Sequence, residues 1–349
     1  MTTATHNNLK DYYGKVLSHS NDLQTNACCC DADSIPAEVK EALKLIHHEI
    51  TDRFYGCGSP IPPVLEGMSV LDLGCGTGRD AYILSHLVGE SGHVIGIDMT
   101  DEQLETARKH INYHTEAFGY AKANIEFRQG FIEDLKAIGI ADNSVDIVIS
   151  NCVINLSPDK ESVFREIFRV LKPGGELYFS DVFADRRIAK ALRDDPLLHG
   201  ECLSGAMYSE DFRRLLAEVG CPDYRVTSKA VITIDNPEIK DRIGFARFDS
   251  VTVRAFKLAS LEDICEDYGQ SAIYKGSIAG HPHHFDLDDH HRFYTGKPML
   301  VCGNTAAMVG ETRFKEHFTV TGDRSTHFGA FDCKPVPAAQ QEPSSSSCC

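Results

Sequence analysis

The sequence predicts an α/β fold: a parallel, doubly wound sheet with helices covering both faces. Three observations carry this. From Met68 onward, short apolar runs alternate with amphipathic segments of helical period. The apolar runs have strand length and are rich in Val and Ile, as strands buried on both faces are. The connections between them are short, and the first, inside Val70–Asp80 (VLDLGCGTGRD), has glycine at every other position. Repeated strand–helix units of this kind pack as a layered parallel sheet.

Taken in order, residues 1–67 contain no strand–helix unit. Helices are expected over Asp11–Leu23 and from Pro36 to about Phe54, where Val39, Leu43, Ile46 and Ile50 draw one apolar stripe. The loop between them, LQTNACCCDADS, carries Cys28-Cys29-Cys30. The loop after them, YGCGSPIPP, holds Cys57 between two glycines, and its prolines forbid regular structure. Strand Ser69–Leu73 then leads to helix Arg79–Leu87, and strand HVIGID, ending at Asp98, leads to helix Asp101–Phe118. Strand NIEFRQG precedes IEDL, and strand VDIVIS precedes helix SPDKESVFREIFRV. Lys172-Pro173-Gly174-Gly175 reads as a stop and turn before strand ELYFSDV.

Beyond about residue 183 the alternation weakens. A helical segment near Ala184–Leu192 enters a loop carrying Cys202, and helix Ser209–Val219 follows with Glu210 and Asp211 in its first turn. Two β-branched runs, RVTSKAVITID and ARFDSVTVRAFKL, suggest a smaller antiparallel layer attached to the main sheet. His281, His283, His284, His290 and His291 lie among Asp286, Asp288 and Asp289. On a strand such neighbours point to opposite faces, so a solvated hairpin is expected there rather than a metal site. The tail PVPAAQQEPSSSSCC is of low complexity and expected to be disordered. The expected division is 1–67, a helical region with cysteines; 68–220, the sheet domain; 221–300, a β-rich domain; and 301–349, a C-terminal region.

Composition narrows the function. A length of 349 residues suits about two domains, and 42% hydrophobic with 25% charged residues suits a globular chain. A formal net charge of −16 and the lack of a basic stripe argue against a nucleic-acid partner, which needs clustered Lys and Arg. No apolar run nears the roughly 20 residues of a membrane span. The first residues lack the layout of a signal peptide. A cytoplasmic protein with no membrane partner is expected.

The glycine turn points to a nucleotide-like ligand. Glycine lets the backbone turn sharply and approach a ligand with no Cβ in the way. The dinucleotide fingerprint is G-x-G-x-x-G, but here the third glycine comes one residue early and Arg79 stands in its place. That argues against a nicotinamide oxidoreductase. The spacing D-x-G-x-G-x-G, starting at Asp72 and running through Gly74, Gly76 and Gly78, resembles motif I of the class I S-adenosylmethionine-dependent methyltransferases. In a doubly wound sheet, ligands sit at the carboxyl ends of the strands. Gly74, Asp98, residues 130–133 and residues 151–155 all fall on that edge. A carboxylate at Asp98 suits two vicinal ribose hydroxyls, with Thr100 or Asp101 left to cap the next helix. Ile132 and Glu133 offer an apolar face and a polar edge for the adenine.

Thirteen cysteines are many for an intracellular chain, where they more often bind metals or do redox and catalytic work than form structural disulfides. Cys75, Cys221 and Cys265 read as small buried hydrophobes. Cys152 stands just after the fourth strand, Cys202 in the loop after the fifth and Cys57 in the loop before the first. Three thiolates on one sheet edge would suit a soft, thiophilic element. A carbon or oxygen acceptor usually calls for a general base, and none is evident at residues 151–155. A methyltransferase of an organic small molecule and a thiol-rich metal-binding protein are the competing readings.

The segments LQTNAC, YGCG, LDLGCGTGRDAYILS, GHVIGIDMT, SNCVINL, GGELYFSDV and GECLSGAMY, met in this order from about residue 10 to residue 255, resemble the arsenite S-adenosylmethionine methyltransferases. The resemblance implies a Rossmann-like doubly wound methyltransferase sheet over 68–220 that binds S-adenosylmethionine, a smaller α+β substrate-binding region with 221–300 as its arsenic(III)-binding, β-rich domain, and a C-terminal extension. It implies S-adenosylmethionine as methyl donor and no metal cofactor. Cys28, Cys57, Cys152 and Cys202 match the family's four functional cysteines. Cys152 and Cys202 would be the principal arsenic(III) ligands and Cys57 the third, with Cys28 joining Cys57 in redox or loading steps. Asp72, Gly74, Gly76, Asp98, Met99, Gln103, Ile132, Glu133, Asn151 and Val153 would line the cofactor site, with Tyr13 and Gly14 over it. The partners implied are arsenite, methylated arsenicals and a glutathione or thioredoxin-type reductant, with the chain a monomer. Cys28 is followed directly by Cys29 and Cys30, and the chain beyond about residue 260 matches only loosely.

Overall fold

The computed structural model describes residues 35–52, 58–193, 195, 198, 203–234 and 236–333. Two short helices, α1 (Ala37–Leu43) and α2 (His48–Thr51), precede the sheet. The sheet begins with β1 (Ser69–Leu73), followed by α3 (Arg79–Leu87), β2 (His93–Asp98), α4 (Asp101–Lys109), α5 (Ile111–Ala117) and β3 (Ile125–Gln129). It continues with β4 (Val145–Asn151), α6 (Lys160–Val170) and β5 (Leu171–Ala184), then α7 (Lys190–Arg193), β6 (Met207–Tyr208) and α8 (Ser209–Glu218). β7 (Tyr224–Val231), α9 (Pro237–Ile243) and β8 (Phe248–Phe256) complete it.

The strand order is β3-β2-β1-β4-β5-β8-β7, with β6 paired to β5. Strands β1 to β5 run parallel. Alternate residues go to opposite faces, as the period of a strand requires. Leu71, Leu73 and Val148 join one apolar cluster with Phe164, Ile167 and Phe179, while Val70, Ile147 and Ile149 join another with Ile83, Leu84 and Leu104. Burial on both faces is why these strands are continuous apolar runs. The second cluster includes Val39, Ile46 and Ile50, with Leu43 only partly buried against it, and the single helix expected from Pro36 to about Phe54 is broken into α1 and α2.

Four more sequence expectations are corrected. The two β-branched runs form no layer of their own. β8 pairs antiparallel along β5 from Phe256↔Glu176 to Phe248↔Ala184, and β7 pairs on β8, so both extend the main sheet at its edge. Lys172-Pro173-Gly174-Gly175 does not stop the chain before a strand. It is an irregularity within β5, where pairing to β4 jumps from Val145↔Leu171 to Ile147↔Glu176. The helix expected over Asp101–Phe118 breaks at His110, which leaves helical geometry (φ −101, ψ 7). The helix expected near Ala184–Leu192 shrinks to α7, because β5 runs on to Ala184 under its pairing with β8.

The remaining chain forms a small layer of short strands. These are β9 (Glu266–Asp267), β10 (Ser271–Tyr274), β11 (His284–Asp286), β12 (Arg292–Tyr294), β13 (Pro298–Leu300), helix α10 (Gly303–Gly310), β14 (Phe318–Thr321) and β15 (Gly329–Ala330). Its core of Tyr274, Phe285, Phe293, Val301, Met308 and Phe314 also contains Phe256 at the end of β8. A buried ion network strengthens that seam. Glu176 on β5 pairs with Arg254 on β8 (2.7 Å) and with Arg313, and Arg254 also donates to the Leu287 carbonyl (2.7 Å). The expected histidine hairpin is present as β11–β12. Its turn is not wholly solvated, however: Asp288 and His291 are buried and meet Arg225 of β7. No helix among the described residues is long and apolar enough to cross a membrane.

Candidate active site

The strand order reverses between β1 and β4, which lie side by side with Leu73 opposite Ser150. The crevice beyond the carboxyl ends of strands at such a switch point is where doubly wound sheets take ligands. Two stretches border it, the glycine turn after β1 and residues Asn151–Val153 after β4.

In the glycine turn, the amides of Gly74 and Cys75 donate to the Ile97 carbonyl (2.7 and 2.9 Å), and that of Gly76 donates to Asp98 Oδ2 (2.9 Å). Gly74, Gly76 and Gly78 all have positive φ (70°, 53° and 91°), a region costly for other residues. They differ in surroundings. A Cβ on Gly74 would lie 2.4 Å from a Val153 methyl, whereas one on Gly76 would meet nothing within 4 Å. Gly74 is therefore required by packing and Gly76 leaves an open approach to the backbone.

Acidic groups gather behind the turn. Asp72 is buried, and its Oδ2 has no hydrogen-bond partner among the described residues. Burial, reinforced by Asp80 and Asp98, holds its carboxyl well above the ordinary range. Asp98 is not left free by the helix cap, contrary to the sequence argument. Its carboxylate accepts from the Gly76 and Thr100 amides (2.9 and 2.8 Å), while Thr100 makes no side-chain cap. Burial raises the Asp98 carboxyl and these amides pull it back.

Asn151 is tied to two other segments at the end of β4. Its Nδ2 donates to the Gly58 carbonyl (2.9 Å) and to Asp80 Oδ2 (2.8 Å), and its Oδ1 accepts from the Gly58 amide (3.2 Å). The segment entering at Gly58 is thereby clamped to the end of β4. A Cβ on Gly58 would lie 2.4 Å from Ser180 Oγ of β5, so glycine is also what lets that segment lie so close.

Cys152 sits beyond this clamp with a left-handed backbone (φ 56°), rare for a residue with a side chain. Its amide donates to the Ser180 carbonyl (2.9 Å). It is buried in an apolar cluster with Leu156, Val182, Ile188 and Leu203, against which Met99 packs. Cys152 is disulfide-bonded, and its partner lies outside the described residues. The turn after it is held by Asp181, whose carboxylate accepts from the Asn155 amide and side chain (3.1 and 2.7 Å) and from the Val182 amide (2.8 Å). Burial pushes the Asp181 carboxyl up to about 7 against these donors.

The other expected residues are spread along the same edge. Gln103 is buried on α4, and Ile132 belongs to the apolar cluster under β1. Glu133 accepts a hydrogen bond from the Ser157 hydroxyl (2.5 Å). Tyr13, Gly14, Cys28, Cys57 and Cys202 lie outside the described residues. The chain neighbours Gly58 and Leu203 are described, and both lie against the Asn151–Cys152 corner. Gly58, Asp80 and Ser180 escaped the sequence reading. Their roles arise from pairing across the sheet, and only the flanking glycines of YGCG hinted at a close approach.

Comparison with known proteins places the whole chain in a family. Residues 65–220 match the profile of a methyltransferase domain, and residues 268–349 that of the arsenite methyltransferase C-terminal domain. The chain is 54% identical over 327 residues to an arsenite methyltransferase of Aquipseudomonas alcaligenes, covering 94% of each. It is 45% identical over 315 residues to the arsenite methyltransferase of Homo sapiens, covering 89% of this chain and 82% of that one. The crystal structure of an arsenic(III) S-adenosylmethionine methyltransferase from Chlamydomonas reinhardtii superposes with a TM-score of 0.83 at 54% identity, covering 86% of this chain and 100% of that one. With identity of this size along nearly the whole length, on a class I methyltransferase sheet, the chain belongs to the arsenite methyltransferase family.

Proposed function

We propose that the chain transfers methyl groups from S-adenosylmethionine to trivalent arsenic held by the thiolates of Cys57, Cys152 and Cys202, releasing S-adenosylhomocysteine. The observation that carries this reading is the corner at β4. Asn151 clamps Gly58, and Cys152 and Leu203 share one apolar cluster, so the neighbours of Cys57 and Cys202 border Cys152 beside the Gly74 turn.

The glycine turn, Asp72 and Asp98 would bind the cofactor, with Met99, Gln103, Ile132, Glu133 and Val153 around it and Tyr13 and Gly14 as its cover. Gly76 offers the open backbone face. The carboxylate of Asp98, already oriented by two amides, would accept from the ribose. Asn151 acts on the thiol side of the site through Gly58 and Asp80.

Three thiolates bind arsenic(III) in a pyramid and leave its lone pair free. In the transfer, that lone pair forms an As–C bond to the sulfonium methyl as the S–C bond breaks in line. The electrons of the broken bond stay on the sulfur of S-adenosylhomocysteine. The arsenic is thereby oxidised and returns to the trivalent state by taking two electrons from a pair of thiols, which leave as a disulfide. Two glutathiones, or one thioredoxin-type dithiol, then reduce that disulfide and are themselves oxidised to a disulfide, with Cys28 and Cys57 in the exchange. The bonded state of Cys152 fits a cycle that needs such reduction before arsenic loads. The apolar cluster around Cys152 keeps the reacting atoms out of water, so catalysis is chiefly positioning in a dry site.

Replacing Cys152→Ser or Cys202→Ser tests this. Each is expected to abolish arsenite methylation while S-adenosylhomocysteine still binds in calorimetry. Unchanged turnover in both variants would remove the assignment. An assay of phenols and quinones in parallel separates it from an organic acceptor.

A further inference from the structure

The C-terminal layer contains a second group of thiols that the methylation chemistry does not use. Cys265, read from sequence as a small buried hydrophobe, is only half-buried. Its sulfur lies with those of Cys302 and Cys333, all within 4.8 Å of one another. All three thiols are free.

The three come from different elements, and backbone pairing holds them together. Cys265 precedes β9 and Cys333 follows β15, and those two strands pair through Asp267↔Gly329 and Glu266↔Ala330. The Phe331 amide donates to the Cys265 carbonyl (2.8 Å), and the Cys333 amide to the Phe331 carbonyl (2.9 Å). Cys302 is the N-cap of α10, which is tied to the Cys265 segment by Asn304. The Glu262 amide donates to Asn304 Oδ1 (2.9 Å), and Asn304 Nδ2 donates to the Glu262 carbonyl (2.8 Å). The Cys302 sulfur accepts from the Thr305 amide (3.4 Å) and meets the Arg225 guanidinium at 4.0 Å. Three free sulfurs converge on one point before any ligand arrives.

We propose that Cys265, Cys302 and Cys333 form a second arsenic(III) site, which holds the trivalent element away from the methylation edge. Three thiolates on one thiophilic centre need sulfurs a few ångströms apart, and all three lie within 4.8 Å of one another. Zinc would require a fourth ligand. Among the described residues no histidine or carboxylate joins the three sulfurs. Arsenic(III) is complete with three thiolates and its lone pair.

Loading is a ligand exchange without redox change. As(OH)3 and three thiols give As(SR)3 and three waters, with three As–O bonds replaced by three As–S bonds. Arg225 beside the site is paired with Asp223 (2.7 Å) and Asp288 (3.2 Å), so its charge is met with or without arsenic bound. Methylation there is not expected. Arg225 lies on β7, four strands from β1 in the sheet, or roughly 19 Å at about 4.8 Å per strand.

The test uses the full chain, reduced and carrying Cys152→Ser and Cys202→Ser, so that it does not depend on the proposed methylation site. Arsenite is added, unbound arsenic is removed by gel filtration, and arsenic per chain is measured by mass spectrometry. Adding Cys265→Ser with Cys333→Ser is expected to lower bound arsenic by one per chain, while Cys221→Ser leaves it unchanged. Cys302, a helix cap, is left intact, and matching thermal melts establish that the variants fold. Unchanged arsenic in the Cys265/Cys333 variant would overturn the proposal. So would zinc retained through dialysis by these cysteines and not displaced by arsenite. Methylation by the otherwise wild-type chain carrying Cys265→Ser is read separately and reports on the proposed catalytic site alone.

Discussion

At the scale of single residues, Asn151 links the two halves of the candidate site. Its hydrogen bonds include two to the Gly58 backbone and one to Asp80. Asn151→Ala should reduce stability by about 1–3 kcal/mol, the range for leaving buried partners unsatisfied. It should weaken arsenite binding more than S-adenosylhomocysteine binding, and calorimetry with each ligand checks this. The reverse order would return Asn151 to the cofactor side, where sequence reasoning had put it. The two turn glycines make a second pair of expectations. Gly76→Ala adds only left-handed strain of about 1–2 kcal/mol. Gly74→Ala carries the same strain and in addition forces Val153 aside, so it should unfold at clearly lower urea than Gly76→Ala. The turn itself was legible because glycine leaves a mark in the sequence. The use of Asn151 was not, because its partners are fixed by the pairing of distant strands.

At the scale of elements, the seam between the sheet and the C-terminal layer rests on Glu176, Arg254 and Arg313. All three are buried or nearly so, and removing one partner leaves a charge uncompensated. Glu176→Gln should therefore cost about 3–5 kcal/mol, measured by denaturant unfolding. A loss under 1 kcal/mol would show that the seam is held by its apolar contacts alone. The N-terminal helices dock differently. His114 of α5 stacks on Tyr82 (3.7 Å between centroids) and accepts the His47 amide at Nε2 (3.2 Å). Burial holds His114 down at about 4, so the folded state prefers the neutral ring. That contribution is complete above the unfolded value near 6.5 and is lost as pH falls through about 4. Wild-type melting temperature should drop over that window more than that of His114→Gln. The positions of β1 to β5 could be read from period and turn signals. The docking of β8 on β5 and of β7 on β8 could not, because an antiparallel edge partner is a long-range choice that local alternation does not encode.

At the scale of the whole molecule, the glycine turn after β1 and the Asn151–Cys152 corner meet at the switch point of one sheet. Asp72, Gly74 and Asp98 lie on one side, and Asn151 and Cys152 on the other. The net charge of −16 disfavours a polyanionic partner. The central claim is that the sulfonium methyl goes to thiol-bound arsenic. A single-turnover reaction of reduced enzyme with arsenite and one equivalent of methyl-labelled S-adenosylmethionine tests it most directly. The expected result is labelled methylarsenic and S-adenosylhomocysteine in equal amounts, with neither formed by Cys152→Ser. S-adenosylhomocysteine appearing without labelled arsenic, or equal turnover by Cys152→Ser, would contradict it.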